Sequence, residues 1–393
     1  MKIHSGIDEE PFLLDPDVVF LNHGSFGACP REVLQAQHDW QLRMERNPVL
    51  FLGRESTQLL AQARAVLAQY LGAAADDLAF MPNATSGVNV VARSLQLGAG
   101  DEILTTDHEY GACDNTWRFV CKRSGAVVKR VEVPLPFCAA EFVERVWAGV
   151  TPCTRVLFLS HITSTTALIF PLAELCQRAR AAGIVTLIDG AHAPGHIDLN
   201  LDALGADFYT GNCHKWMCAP KGAAFLHARP EHHARLEAPV ISWGYSEQVP
   251  GNPVLEAYVG RTELQRRLQW LGTRDISAFL TVPAAMAFQQ RHGWHAVRAQ
   301  CHALAQQTLQ RWCVRTGQAP VAEGNDCGQM VLLPMPGADA DALKASLYDR
   351  FRIEVPVTQH QDQVFVRVSV QGYNTQNDLD RLLEALLVLR GTQ

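Results

Sequence analysis

Between residues 77 and 228 seven short β-rich runs alternate with stretches of helical periodicity. The runs are DLAFM (77–81), EILTT (102–106), VVKRVEV (127–133), RVLFLS (155–160), IVTLID (184–189), DFYTG (207–211) and AAFLHA (223–228). Several intervening segments carry apolar residues at helical spacing, and one of them, PLAELCQRARAAG, ends on a glycine stop. Strands that are nearly all apolar and separated by helices are buried on both faces, which predicts a mainly parallel sheet in an α/β fold. Ligands of such sheets bind beyond the carboxyl ends of the strands. The strand ends are therefore where chemistry is expected.

Past residue 275 the pattern changes. A helical stretch, ISAFLTVPAAMAFQQRHGWHAVRAQCHALAQQTLQRWC, leads to a strand at QMVLLPM, a helix at DADALKASLYDRF, strands at IEVPV and VFVRVSV, and a last helix from Thr375. This reads as a second, smaller α/β unit. The division expected is an N-terminal arm over 1–25, a large domain over 26–274 and a small domain over 275–393.

Composition narrows the classes. Of 393 residues 48% are hydrophobic and 19% charged, which suits a soluble globular chain with a large interior. A net charge of -6 gives no basic footprint for nucleic acid or anionic lipid. No apolar run reaches the roughly 20 residues that span a bilayer, and the acidic start MKIHSGIDEEPFLLDPD lacks a signal-peptide pattern. Eleven cysteines, scattered from Cys29 to Cys327, fit buried reduced thiols in a cytoplasmic protein. The cluster Cys213, His214 and Cys218 lacks the second ligand pair of a structural metal site.

The strongest chemical signal is IVTLIDGAHAPG followed by DFYTGNCHKWMCAPKG. Asp189 ends a strand, and Lys215 lies in a turn between two strands. Each alone has an ordinary structural explanation. Together, with His192 and His214, they supply what a pyridine cofactor needs: a carboxylate to hold the ring nitrogen protonated and an amine to form a Schiff base. A lysine in an apolar crevice also has a lowered pKa, which helps it act as nucleophile and base. In MPNATSGVNVVARSL, Thr85 and Ser86 open a helix, a place suited to a phosphate or to a plain N-cap. Tyr110 lies just beyond EILTT, where an aromatic ring can stack on a flat cofactor or simply fill a boundary layer. Ser160 to Ser164 form a polar stretch at another strand end. Arg367, within VFVRVSV, suits bidentate binding of a substrate carboxylate or a surface ion pair.

Other chemistries lack their residues. There is no G-x-G-x-x-G after a strand, no G-x-x-x-x-G-K-[ST] and no G-x-S-x-G elbow. His192 and His196 have zincin spacing, but Pro194 and Gly195 between them disfavour a shared helix face.

Taken together the sequence resembles the fold-type I pyridoxal 5'-phosphate (PLP) enzymes of aminotransferase class V, and within them the isopenicillin N epimerase-like branch. The resemblance runs through VVFLNHGSFGACP, NPVLFLGRE, NATSGVNVVA, TTDHEYGA, SHITS, IVTLIDGAHAPG, GADFYTGNCHKWMCAPKG, GTRD, RIEVPV and VRVSVQGYNT. It implies a large domain with a mainly parallel seven-stranded sheet flanked by helices, a smaller C-terminal α/β domain, and PLP as cofactor. By resemblance Lys215 matches the Schiff-base lysine and Asp189 the partner of the pyridine nitrogen. His192 falls near the ring hydroxyl and Tyr110 in the segment over the ring. Thr85, Ser86 and His214 match phosphate contacts; Ser164, at the polar strand end in SHITS, suits a cofactor or substrate contact by its position and polarity. Asn212 stands where many members have serine, which weakens its phosphate role. Gly272 and Thr273 match a turn reaching the neighbouring subunit's phosphate, implying a homodimer with shared sites. Asn22, His23 and Arg367 match the substrate-carboxylate region.

The implied reaction begins with removal of a Cα proton from an amino-acid substrate. Reprotonation on the opposite face gives an epimerase, the favoured reading, with Tyr110 a plausible donor. Loss of a β-sulfur substituent gives a C–S lyase, and loss of a keto acid an aminotransferase. A silent PLP-binding regulator is the non-enzyme alternative. The stretch RIEVPVTQHQDQ holds no cysteine, which argues against the desulfurases, whose mobile loop carries a catalytic one.

Overall fold

The computed structural model describes residues 11–322 and 324–391. Residues 1–10 of the expected N-terminal arm lie outside the described residues.

The seven β-rich runs form one sheet. In chain order its strands are β2 (Leu78–Met81), β3 (Glu102–Thr106), β4 (Val127–Val131), β5 (Thr154–Ser160), β6 (Val185–Gly190), β7 (Phe208–Asn212) and β8 (Ala224–Ala228), following a two-residue β1 (Val19–Phe20). Their order across the sheet is β2-β8-β7-β6-β5-β3-β4, and only β8 runs antiparallel to its neighbours. Period-two alternation sends consecutive side chains to opposite faces. Thus Leu157 and Leu159 of β5 enter one core with Phe80, Ile188 and Tyr209. Val156 and Phe158 enter the other with Ile103, Leu187 and Phe208. Burying each such side chain contributes roughly 1.5–3 kcal/mol. β4 is one of the two edge strands, and its residues are partly exposed, which is why VVKRVEV can carry Lys129 and Arg130 in mid-strand.

Helices cover both faces. Leu60 and Leu67 of α1 (Ser56–Leu71) pack on the first core. Val88 and Val91 of α2 (Ala84–Ser94) and Trp117 of α3 (Gly111–Ser124) pack on the second.

The C-terminal part holds a three-stranded antiparallel sheet, order β11-β12-β9, from β9 (Met330–Pro334), β11 (Val357–His360) and β12 (Gln363–Ser369). Two expectations from the sequence are refined there. The run IEVPV is not one strand: Pro356, which has no N–H to give a ladder, separates β10 (Ile353–Glu354) from β11. β10 pairs in parallel with β1, so the start of the described chain is bound to its C-terminal part. The long helical stretch is also broken. Gly293 adopts a left-handed conformation, φ 59°, between α4 (Val282–Arg291) and α5 (Trp294–Thr316).

Candidate active site

A cavity of about 410 Å³ opens at the carboxyl ends of β2, β5, β6 and β7, the position the parallel sheet predicts. Eight of the residues singled out in the sequence line it: Thr85, Tyr110, Ser164, Asp189, His192, Asn212, His214 and Lys215.

Lys215 follows β7 in the turn that reverses the chain into β8. Its Nζ lies 3.0 Å from His192 Nε2, while Trp216 Nε1–H donates to His192 Nδ1 over 3.4 Å. That leaves the imidazole proton on Nε2, facing the amine. Burial, then the charge of Arg367, brings the Lys215 pKa down to about 7, so a large share of the amine is neutral near that pH. Burial likewise holds His192 well below the usual histidine range.

Asp189, at the end of β6, is buried. One carboxylate oxygen accepts from the Ala191 N–H at 2.9 Å and the other from the Cys113 thiol at 3.4 Å. Burial raises its pKa. One backbone amide and one weak thiol donor are poor compensation for a carboxylate out of water. A protonated ring nitrogen at Asp189 would supply it. The helix start at Thr85 offers its positive end to an anion. Asn83 Oδ1 accepts from the Ser86 N–H at 2.8 Å, and Asn212 Oδ1 from the Ala84 N–H at 2.8 Å, which fixes that turn against β7. Carboxylate, amine and anion cradle are thus arranged as PLP requires.

The other expected residues stand elsewhere. Ser86 is tied to Asn83 by amide and hydroxyl and is not in the cavity wall. Arg367 lies behind the wall: its guanidinium donates to Ser164 O and Oγ and to Ser25 Oγ, while its buried Nε makes no hydrogen bond. Asn22 Nδ2 donates to Glu354 at 3.0 Å, and its Oδ1 is buried without a partner. His23 is fully buried, with ring nitrogens 3.0 Å from the Lys215 carbonyl and 3.0 Å from the Tyr373 hydroxyl. It braces the lysine turn from below. Gly272 and Thr273 lie in a bend outside this cavity.

Sequence reasoning missed six residues. Ser25 and Phe26 close one side of the cavity, and Lys221 borders it while donating to the Gly27 carbonyl at 3.0 Å. A Cβ on Gly27, φ 71°, would meet the His214 carbonyl oxygen at 2.0 Å, so only glycine lets this loop touch the lysine turn. Glu109 is buried beneath Tyr110's loop, accepting from the Ser160 N–H (2.9 Å) and hydroxyl (2.6 Å) and the Thr106 hydroxyl (2.8 Å). Burial pushes its pKa up to about 8. Cys113 looked like any core cysteine. Nothing local in the sequence marks these positions, except that Glu109 adjoins Tyr110.

The family model for aminotransferase class-V matches residues 19–382. The chain belongs to the aminotransferase class-V family. As a class-V protein it is a PLP-dependent enzyme of fold type I. This class-V chain is 41% identical over 384 residues to the isopenicillin N epimerase of Amycolatopsis lactamdurans, covering 96% of each. It is 30% identical to a probable chloroplastic L-cysteine desulfhydrase of Arabidopsis thaliana, covering 97% of this chain and 85% of that one. Among solved structures the apo cysteine desulfurase of Thermococcus onnurineus NA1 superposes with a TM-score of 0.80 at 20% identity, covering 98% and 97% of the two chains. The cystine C–S lyase C-DES, in complex with cysteine persulfide, gives 0.80 at 22% identity, covering 94% and 97%.

Proposed function

We propose that this enzyme inverts the configuration at Cα of an amino-acid-containing substrate, as an isopenicillin N epimerase-like epimerase. The observation that carries the reading is the joint presentation of Lys215 and Asp189 to one cavity in a chain 41% identical, nearly end to end, to an isopenicillin N epimerase. PLP, when bound, supplies an electron sink for the pair left as the Cα–H bond breaks. Asp189 would hold its ring nitrogen protonated, Thr85, His214 and Asn212 would hold its phosphate, and Tyr110 would border its ring. The Lys215 amine, near 7 in pKa, removes the Cα proton at its own face. The Tyr110 hydroxyl returns a proton at the other. Arg367, through Ser25 and Ser164, shapes the place for the substrate carboxylate.

Turnover of amino acids and small peptides in deuterated water tests this. Inverted product carrying deuterium at Cα is expected. Pyruvate with a released thiol would show a C–S lyase instead, and the 30% identical desulfhydrase relative keeps that reading as the alternative. Consumption only with an added keto acid would show an aminotransferase.

The working form is a homodimer. Val240, Ile241, Trp243, Tyr245 and Val254 are all more than half exposed, an apolar patch that favours a second copy, and by the family resemblance Gly272 and Thr273 would face the partner's phosphate. A cytoplasmic setting accords with buried thiols such as Cys113, Cys176, Cys213 and Cys218. Among the described residues no helix is long and apolar enough to cross a membrane.

A further inference from the structure

Away from the cavity, the loop after β3 and strand β11 bring two imidazoles and a carboxylate together. The rings of His108 and His360 stack with centroids 4.0 Å apart and planes 23° apart. Their Nε2 atoms face the two oxygens of one carboxylate, Asp107: His108 Nε2 is 3.6 Å from Oδ1 and His360 Nε2 is 3.4 Å from Oδ2. One ligand atom from each of the three residues falls within 4.8 Å of the others. His360 is 7% exposed, and its buried Nε2 makes no hydrogen bond, a cost the fold bears unless something occupies the lone pair or takes the proton.

The surroundings suit a cation. The Val133 carbonyl oxygen lies 2.7 Å from His108 Nε2, a fourth donor on the same side. His108 Nδ1 is 2.7 Å from the Thr166 hydroxyl, which is 2.8 Å from the Thr163 hydroxyl. Moving the His108 proton from Nε2 to Nδ1 lets it donate to Thr166 and frees Nε2, the outer hydrogen bond that metal-bound histidines commonly make. Asp107 is itself oriented: Oδ1 accepts from the Val133 N–H at 2.9 Å. Gln361, with φ 51°, donates from its amide to Asp107 (3.3 Å) and to Glu132 (3.4 Å), which adds a second carboxylate at the rim.

We propose that His108, His360, Asp107 and the Val133 carbonyl form a binding site for one divalent transition-metal ion of the zinc type. Two imidazoles, a carboxylate and a carbonyl make a four-donor nitrogen–oxygen set, which selects zinc, cobalt or nickel over calcium or magnesium. The ion has no part in the reaction. It joins the loop that carries Tyr110 to the hairpin β11–β12, whose second strand carries Arg367, and so fixes two walls of the cavity relative to each other.

The test uses the PLP-loaded enzyme, stripped by chelator and titrated with Co²⁺ for its visible absorption and with Zn²⁺ for affinity and melting temperature. One equivalent per chain and a raised melting temperature are expected. Affinity for Co²⁺ and Zn²⁺ should fall at least about tenfold in His360→Gln and Asp107→Asn, the scale reached by loss of outer partners alone, and stay unchanged in His295→Gln, an exposed control. Circular dichroism and melting without metal show whether each variant is folded. Unchanged metal affinity in a folded His360→Gln, or no stoichiometric binding by the parent enzyme, overturns the site and leaves the three side chains as a metal-free latch.

Discussion

The buried amine of Lys215 costs the fold stability. In the unfolded chain its amine binds a proton below the ordinary pKa of 10.5, and in the folded protein only below about 7. Between those values the unfolded state holds the extra proton, so falling pH takes stability away until both states are protonated. Without PLP, Lys215→Met is therefore expected to be more stable than the parent near pH 7, by on the order of a few kcal/mol. The gain should vanish as pH approaches 10.5. Denaturant unfolding of the two PLP-free proteins at several pH values checks this. Tyr110→Phe is expected to lower inversion by roughly 10²–10⁴-fold while deuterium exchange with retained configuration continues, followed by chiral separation and mass spectrometry. An equal loss of both would remove Tyr110 as the opposite-face acid. At this scale the sequence was most informative where residues end strands: Asp189 and Lys215 could be placed because the apolar runs before them are unambiguous. His23 could not, since its bonds to Lys215 and Tyr373 join positions far apart in the chain.

Elements place residues, and close approaches place elements. Gly87, in the first turns of α2, would with a Cβ meet the Thr210 hydroxyl oxygen at 2.2 Å. Gly87→Ala is expected to cost about 1–3 kcal/mol and to lift the helix start from β7, weakening PLP binding. Gly111→Ala, at a position with nothing within 4 Å of the added carbon, should leave PLP binding unchanged. Fluorescence titration of the PLP-free variants separates the two. The seven strands of the main sheet were legible because burial on both faces leaves little room for polar residues. Less legible were Gly293 and Pro356, where a single residue divides an apparently continuous element. An isolated glycine within a helical pattern is ordinarily tolerated, so periodicity alone passes over the break.

The whole molecule is expected to sediment as a dimer at micromolar concentration. Placing a charge in the apolar patch, as in Trp243→Glu, should give monomers with much reduced turnover and intact secondary structure, read by analytical ultracentrifugation beside circular dichroism. Folded, fully active monomers would show that each copy carries a complete site. The sequence implied a partner only through resemblance, since surface patches are assembled from residues that no periodicity marks.

The brace under the lysine turn bears on how the molecule is made. His23 precedes Tyr373 by hundreds of residues in the chain, yet its ring bonds to the Tyr373 hydroxyl on one side and the Lys215 carbonyl on the other. During translation the main sheet has all its strands once residue 228 emerges. The turn bearing Lys215 gains its underside only after residue 373 has followed. A polypeptide truncated before residue 373 is expected to form the sheet but to lack the hydroxyl that holds His23 under the lysine turn.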